Sequence, residues 1–325
     1  MAKAAQVAAP VQAEDPQEWL AGVLRQRFQD VLSHRAAALD PSQTDGIHDM
    51  RVAIRRLRSM IRDFAEIVEK FPLKAVRKDL TRLADSLGEV RDADVAIKSL
   101  EKTKSKVDDD QEIADGIDGF EVRFHERRST AFEKLGPALS DAAVAKISTR
   151  FEKALDSVLG QRSLFAASTL DDAQDEIISN RIDDLSKFTD ALYDPHGIRR
   201  LHKLRIAAKH LRYAAELFSR NESDGIGQTA DTIAKMQSHL GTVHDCDVWI
   251  EQFRSGLKAK KRNALDGPER RTAEWLLSRF VHRREKAYRK ALRLWSDWEN
   301  AGTLDQLRST EIPLPDVAHS GTTAH

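Results

Sequence analysis

Apolar residues recur at intervals of three and four through almost the whole chain, the spacing of a stripe along one side of an α-helix. In the stretch after His48 the stripe is Met50, Ala53, Ile54, Leu57, Ile61, Phe64 and Val68. At about 100° per residue these fall in an arc of roughly 100°, the width of a core-facing face. A second stripe after His202 reads Leu204, Ala207, Ala208, Leu211, Ala215 and Phe218. Pro41, Pro72, Pro137, Pro195 and Pro268 punctuate the pattern and suit positions just before or at helix starts, where a missing N–H costs nothing. The pattern predicts an all-α protein with helices over about 17–39, 46–70, 73–104 (interrupted near Gly88), 109–135, 141–160, 172–193, 197–219, 225–258 and 269–299. Residues 1–15 and those from about 311 onward lack the period and read as flexible tails.

The chain also resembles itself. HDMRVAIRRLRSMIRDF from His48 matches HKLRIAAKHLRYAAELF from His202 at an offset of 154. LGEVRDADV from Leu87 matches LGTVHDCDV from Leu240 at 153, and RFHERRSTAF from Arg123 matches RFVHRREKAY from Arg279 at 156. Three blocks in one order at nearly constant offset predict two copies of one unit of about four helices, over 16–140 and 171–300. A helical connection at 141–170 joins them, and a largely flexible segment follows over 301–325.

Opposite the first apolar stripe, His48, Arg51, Arg55, Arg58 and Arg62 form a row of cations with no acid between them. The second copy repeats it as His202, Arg205, Lys209 and Arg212, with Glu216 in the place of Arg62. A later stripe carries Arg279, Arg283, Lys286, Lys290 and Arg293, and Arg123, Arg127 and Lys134 share the corresponding face. Like charges four apart destabilise a helix by a few tenths of a kcal/mol per pair, so a merely solvated face usually mixes signs. Acids equal bases here at 52 each, and yet they are kept out of most of both rows. Segregation, not excess, points to an anionic partner. Arginine favours phosphate, because its planar fork donates two hydrogen bonds where an ammonium acts as a point charge. A row of about 14 residues is on the order of 20 Å long, which suits a phosphate chain better than one phosphate.

Composition adds limits. Hydrophobic residues make up 41% and charged residues 32%, as in a soluble helical protein. Cys246 is the only cysteine, which excludes an internal disulfide and any multi-cysteine metal site. With no signal-peptide core and no span of about eighteen apolar residues, a cytoplasmic protein without membrane contact is expected. No phosphate-binding Gly loop, H-E-x-x-H, G-x-S-x-G or dinucleotide fingerprint occurs, so no catalytic residue and no cofactor is assigned. A divalent ion at His48 or His202 would be repelled by the surrounding cations, so no metal is assigned either. Asp92 and Asp94, with Asp245 and Asp247, have the chemistry to hold Mg²⁺, but Asp92 and Asp245 read as caps for helices resuming after Gly88 and Gly241, or as partners of nearby Arg and Lys. Trp275, Trp295 and Trp298 are spaced like core residues, and Cys246 stands where the first copy has Ala93.

The H-x-x-R-V/I-A-x-R/K-x-L-R pattern at His48 and His202, each followed by L-G-x-V-x-D-x-D-V, resembles the CHAD domain, the conserved histidine α-helical domain. That resemblance covers about residues 17–300 and implies two four-helix bundles related by pseudo-two-fold symmetry around a basic channel. It also implies non-enzymatic binding of inorganic polyphosphate and association with polyphosphate granules. The residues it implies are His48, Arg51, Arg55 and Arg58 in one half, and His202, Arg205, Lys209 and Arg212 in the other. Arg127 and Arg283 match basic positions on a later helix, while Arg62 and Lys290 join the expected site from their charge rows alone. Two departures stand out: Glu216 opposite Arg62, and Ala230 with Asp231 opposite Arg77 with Lys78. They predict a lopsided site weighted toward the first half. No E-x-E-x-K signature of a triphosphatase partner domain is present. Two rival functions satisfy some of the same residues: nucleic-acid binding, and a Mg²⁺-dependent phosphohydrolase using the Asp pairs. Aromatic content of 6%, with no aromatic interleaved in the rows, argues against single-strand stacking.

Overall fold

In a computed structural model the described residues are 16–43, 45–68, 71–107, 110–160, 169–219, 225–259 and 265–308. Both predicted tails lie largely outside them. Helices α1 (Pro16–Ser33), α2 (Arg35–Leu39), α3 (Gly46–Ile67), α4 (Lys74–Lys104) and α5 (Gln111–Ala138) make the first half, followed by α6 (Asp141–Leu159). Next come α7 (Leu170–Ser186), a 3₁₀ turn (Thr189–Tyr193), α8 (Ile198–Phe218), α9 (Gly225–Lys258), α10 (Gly267–Ala301) and α11 (Thr303–Arg308). No strand occurs among the described residues, as the period predicts.

Several boundaries differ from the expectation. Both α4 and α9 run unbroken through Gly88 and Gly241, because an interior glycine costs only about 1 kcal/mol and packing on neighbouring helices outweighs it. Asp92 and Asp245 are therefore mid-helix and cap nothing. Pro137 sits in the last turn of α5 instead of opening α6, whose N-cap is Ser140, accepting from the Ala143 N–H. The expected 172–193 helix ends at Ser186 and gives way to the 3₁₀ turn. Pro268 does start α10, with Asp266 and Glu269 forming a reciprocal capping box, and Gly302 ends it at φ +60°, where a Cβ would be strained.

The helices that match in sequence have corresponding neighbours. Helix α3 packs on α4 and α4 on α5, as α8 packs on α9 and α9 on α10; α3 then meets α8, and α5 meets α10. Each repeated helix turns its predicted stripe inward: Met50, Ile54, Leu57, Ile61 and Phe64 are buried on α3, and Leu204, Ala208, Leu211 and Ala215 on α8. One apolar core runs through both halves, joined where Trp19 stacks on Phe218 at 6.0 Å. Phe28 on Phe151 at 4.1 Å fastens α6 to α1. A second cluster sits where α4, α5, α9 and α10 come together, around Ile117, Phe120, Trp249, Phe253 and Phe280. Trp295 and Trp298 are core residues as expected, Trp275 is partly buried against the second cluster, and the Cys246 thiol, pushed up to about 11 by burial, is inert.

Candidate functional site: a basic cleft between three helices

Because α3 buries one face, its opposite face is free to carry cations, and α8 lies close enough to close the groove from the other half. Arg51, Arg55, Arg58 and Arg62 of α3 line a cleft of about 670 Å³ together with Arg77 of α4 and Lys209, His210 and Tyr213 of α8. Five arginines and a lysine thus share one space.

Each is held differently. Arg51 donates to the Ala84 carbonyl of α4 at 2.6 Å. A Cβ built on Gly88 would stand 2.6 Å from its Nη1, so the glycine is what lets this guanidinium lie flat on α4. Arg55 reaches across to α8 and donates to the Tyr213 hydroxyl at 3.1 Å. Arg62 is anchored at its own end, donating to Asp63 at 2.6 Å and Ser59 at 2.8 Å. Burial lowers the pKa of Arg58, with Arg77 and Arg62 pushing the same way against Asp85. Lys209 is the extreme case: burial first, then Arg205, Arg55, Arg62 and Arg58, bring it down to about 8. His210 is driven far below the usual imidazole range by burial and by Arg62, and is neutral at pH 7. A depressed pKa on a cation reflects lost hydration first and like charge nearby second, and a bound anion offsets both.

The acid-free row on α3 does not make an acid-free cleft. Helix α4 presents Asp85, Glu89 and Asp92 along the same wall, three carboxylates against six cations. Single-helix periodicity could not reveal this, since it says nothing about which helix comes to face the row. Asp63, adjacent to Arg62, is likewise an acid of the row's end, only 1% exposed and shared with Arg181.

The other predicted site residues lie elsewhere. His48 does not line the cleft; burial, Arg91 and Arg55 lower its pKa. His202 packs against His244, the two Nδ1 atoms 3.1 Å apart. Arg205 sits beside Asp245, its Nε buried without a hydrogen-bond partner. Arg212 is withdrawn by Glu216 at 2.6 Å, which also accepts from Arg56 at 3.3 Å, and by Gln237. Glu216 thus does more than shorten the second row. Arg127 is exposed beside a separate, largely apolar cavity of about 290 Å³. Arg283 and Lys290 are exposed on α10, and the later stripe is spent partly on local contacts: Arg279 stacks on Trp275 and Arg123 pairs with Glu269. The cations lining the cleft are Arg51, Arg55, Arg58 and Arg62 of α3 and Arg77 of α4, with Lys209 alone from α8. Sequence reasoning missed Tyr213 and His210, whose role depends on the approach of α8 to α3, and gave Arg77 only as a departure between repeats.

The D-x-D pairs split by function. Asp94 accepts from Arg128 at 2.6 Å and Asp247 from Arg284 at 2.5 Å, two ion pairs in equivalent places. Asp92 turns instead toward the cleft, and Asp245 toward Arg205. No group of three or more His, Cys, Asp or Glu side chains fit to hold a metal occurs among the described residues, and none of their helices is long and apolar enough to cross a membrane.

One substitution isolates the Arg51 geometry. Gly88→Ala is expected to dislodge the Arg51 guanidinium from the Ala84 carbonyl while leaving α4 intact, because the clashing atom is the end of a flexible side chain. Unchanged thermal stability with an anion affinity altered several-fold is the expected pair of readings. An affinity equal to wild type would show that Arg51 takes no part.

A family model described as the CHAD domain matches residues 22–254. Among solved structures the chain is similar to the crystal structure of the CHAD domain from the plant Ricinus communis, at 20% identity and TM-score 0.66 over 90% of this chain and 97% of that one. It is also similar to PptA from Streptomyces chartreusis, at 15% identity and TM-score 0.65 over 86% and 99%. A search of the curated proteins found no significant match.

Proposed function

The chain belongs to the CHAD domain family, and from that premise and the cleft's charge we propose that it is a non-enzymatic binder of inorganic polyphosphate. One observation carries this reading. Five arginines and Lys209 converge on one cleft with three carboxylates against them, and burial there holds Lys209 down to about 8. Charge left uncompensated in a groove is relieved by an anion, and guanidinium forks fit phosphate oxygens. The binding residues are Arg51, Arg55, Arg58, Arg62, Arg77 and Lys209, with Arg205 at the flank. The family resemblance supplies the choice of polyphosphate over other polyanions, and with it association with polyphosphate granules. Support for two units related by a pseudo-two-fold comes from the equivalent pairs Asp94–Arg128 and Asp247–Arg284 and from the matching helix neighbours.

The test is competition at equal phosphate concentration. Long-chain polyphosphate should remain bound in the presence of excess duplex DNA or RNA; displacement by either would favour the nucleic-acid rival. With Mg²⁺ no phosphate release from polyphosphate is expected, and release abolished by Asp92→Asn would favour the hydrolase.

Affinity should also depend on pH. A bound polyanion favours charged Lys209, so the bound pKa lies above the free value of about 8. Binding is therefore at full strength below about 8 and weakens above it, by at most about tenfold per pH unit for one proton. Folding stability runs the other way: the unfolded lysine keeps its proton to higher pH, so the free protein gains stability as pH rises from about 8 toward the ordinary lysine value. Titration of affinity and of thermal stability over this range checks both signs, and Lys209→Arg should remove both slopes.

A further inference from the structure

Of the six cations lining the cleft, five are arginine and one, Lys209, is lysine. An arginine keeps its proton at any physiological pH, whereas a lysine can lose one and become a nucleophile. Its position favours that state. The side chain is half-buried in the cleft wall, and the charges acting on it most strongly are Arg205 on its own helix and Arg55, Arg62 and Arg58 from α3. From α4, Arg77 faces the same space as a further cation, and Asp85, Glu89 and Asp92 are the carboxylates opposite; His210 and Tyr213 complete the α8 side. At pH 7.5 a group titrating at about 8 is roughly one quarter neutral, against about one in a thousand for an ordinary exposed lysine. The same arginines that depress Lys209 are phosphate binders placed around it.

We propose that Lys209 is an acylation site whose donor is a small acyl phosphate, held in the cleft through its phosphate by the neighbouring arginines, and that acylation lowers the cleft's affinity for polyanions. Once the donor's phosphate is bound the amine's pKa lies above its free value, so it is the remaining neutral fraction that reacts: Nζ attacks the acyl carbon, a C–N bond forms, and the C–O bond to phosphorus breaks. Inorganic phosphate leaves, its charge stabilised by the arginines, and the surplus proton of the amine goes to the departing phosphate. The products are an amide on Lys209 and free phosphate; no other reactant is needed. The modification removes a cation from the cleft lining and adds bulk to the space a polyanion would occupy. It rests on the reading of the cleft as a phosphate site.

Acetyl phosphate is the probe. The full chain is incubated with it at pH 7.5, and lysine acetylation is followed over time by mass spectrometry, while tripolyphosphate binding to the unmodified protein is measured in parallel. Lys209 should be acetylated at least 30-fold faster than the exposed Lys286 and Lys290. At subsaturating acetyl phosphate its rate should level off above about pH 8. Tripolyphosphate should protect it, and Arg58→Gln should slow it. Lys209→Gln should then bind polyphosphate at least tenfold more weakly than Lys209→Arg. Acetylation of Lys209 no faster than of Lys286 and Lys290, in a protein that does bind tripolyphosphate, would overturn the acylation site and leave the binding function standing. Fast acetylation that tripolyphosphate does not slow would overturn the phosphate-held donor. No tripolyphosphate binding at all would bring down the proposed function, and the inference with it.

Discussion

Charge reversal at both Arg55 and Lys209 is expected to weaken polyphosphate binding by about a thousandfold or more while the far-ultraviolet helix signal stays as in the parent. The two residues occupy equivalent places in the two repeats and meet in one cleft, where Lys209 feels Arg55 directly. Losing two charge-assisted hydrogen bonds to phosphate costs roughly 3–6 kcal/mol in all, and each kcal/mol of this kind is several-fold in affinity. The two new carboxylates repel the ligand as well. Folding should survive, because both side chains point away from the core, and a carboxylate at position 209 would sit among arginines able to pair with it. The measurement is fluorescence or calorimetric titration of both proteins at one fixed salt concentration. Affinity retained within tenfold would mean that the polyanion binds elsewhere.

The second large effect is on stability. Asp94→Ala and Asp247→Ala should each cost roughly 3–5 kcal/mol, the usual penalty for removing one partner of a buried ion pair. Asp94 and Asp247 are 6% and 9% exposed, and each holds an arginine of the antiparallel neighbour, Arg128 or Arg284. Thermal unfolding should therefore fall by about 4–7 °C for either substitution. Polyphosphate affinity below the new melting temperature should stay close to that of the parent, since neither acid lines the cleft. A catalytic or metal-binding D-x-D would behave in the reverse way, losing ligand chemistry while keeping its stability. An unchanged melting temperature would remove the structural role assigned to these two acids.

Much of this arrangement could be read from the chain alone. The row Arg51, Arg55, Arg58, Arg62 and the stripe behind it follow from the period of a single helix, and the repeat offset paired Arg55 with Lys209 before any helix was placed in space. The parts that escaped depend on which helices become neighbours. Glu216 looked like a blemish at the end of a row, yet it gathers Arg56 and Arg212 and so takes Arg212 out of the cleft. Gly88 looked like a helix break, yet it clears a seat for the Arg51 guanidinium inside a continuous helix. The wall of Asp85, Glu89 and Asp92 could not be seen to oppose the cations, because a helical projection carries no information about what crosses it. His48 and His202, the most recognisable letters of the motif, sit outside the lining altogether: His202 rests on His244, and His48 is held below its usual range by burial first and then by Arg91 and Arg55.

The central claim is that the cleft between α3, α4 and α8 is where the polyanion sits. A crystal structure of the chain with a short polyphosphate tests it directly. Phosphates are expected against Arg51, Arg55, Arg58, Arg62 and Lys209, with the polyphosphate chain following α3. Phosphates bound instead along the exposed Arg283, Lys286 and Lys290 stripe of α10, with the cleft holding none, would contradict it.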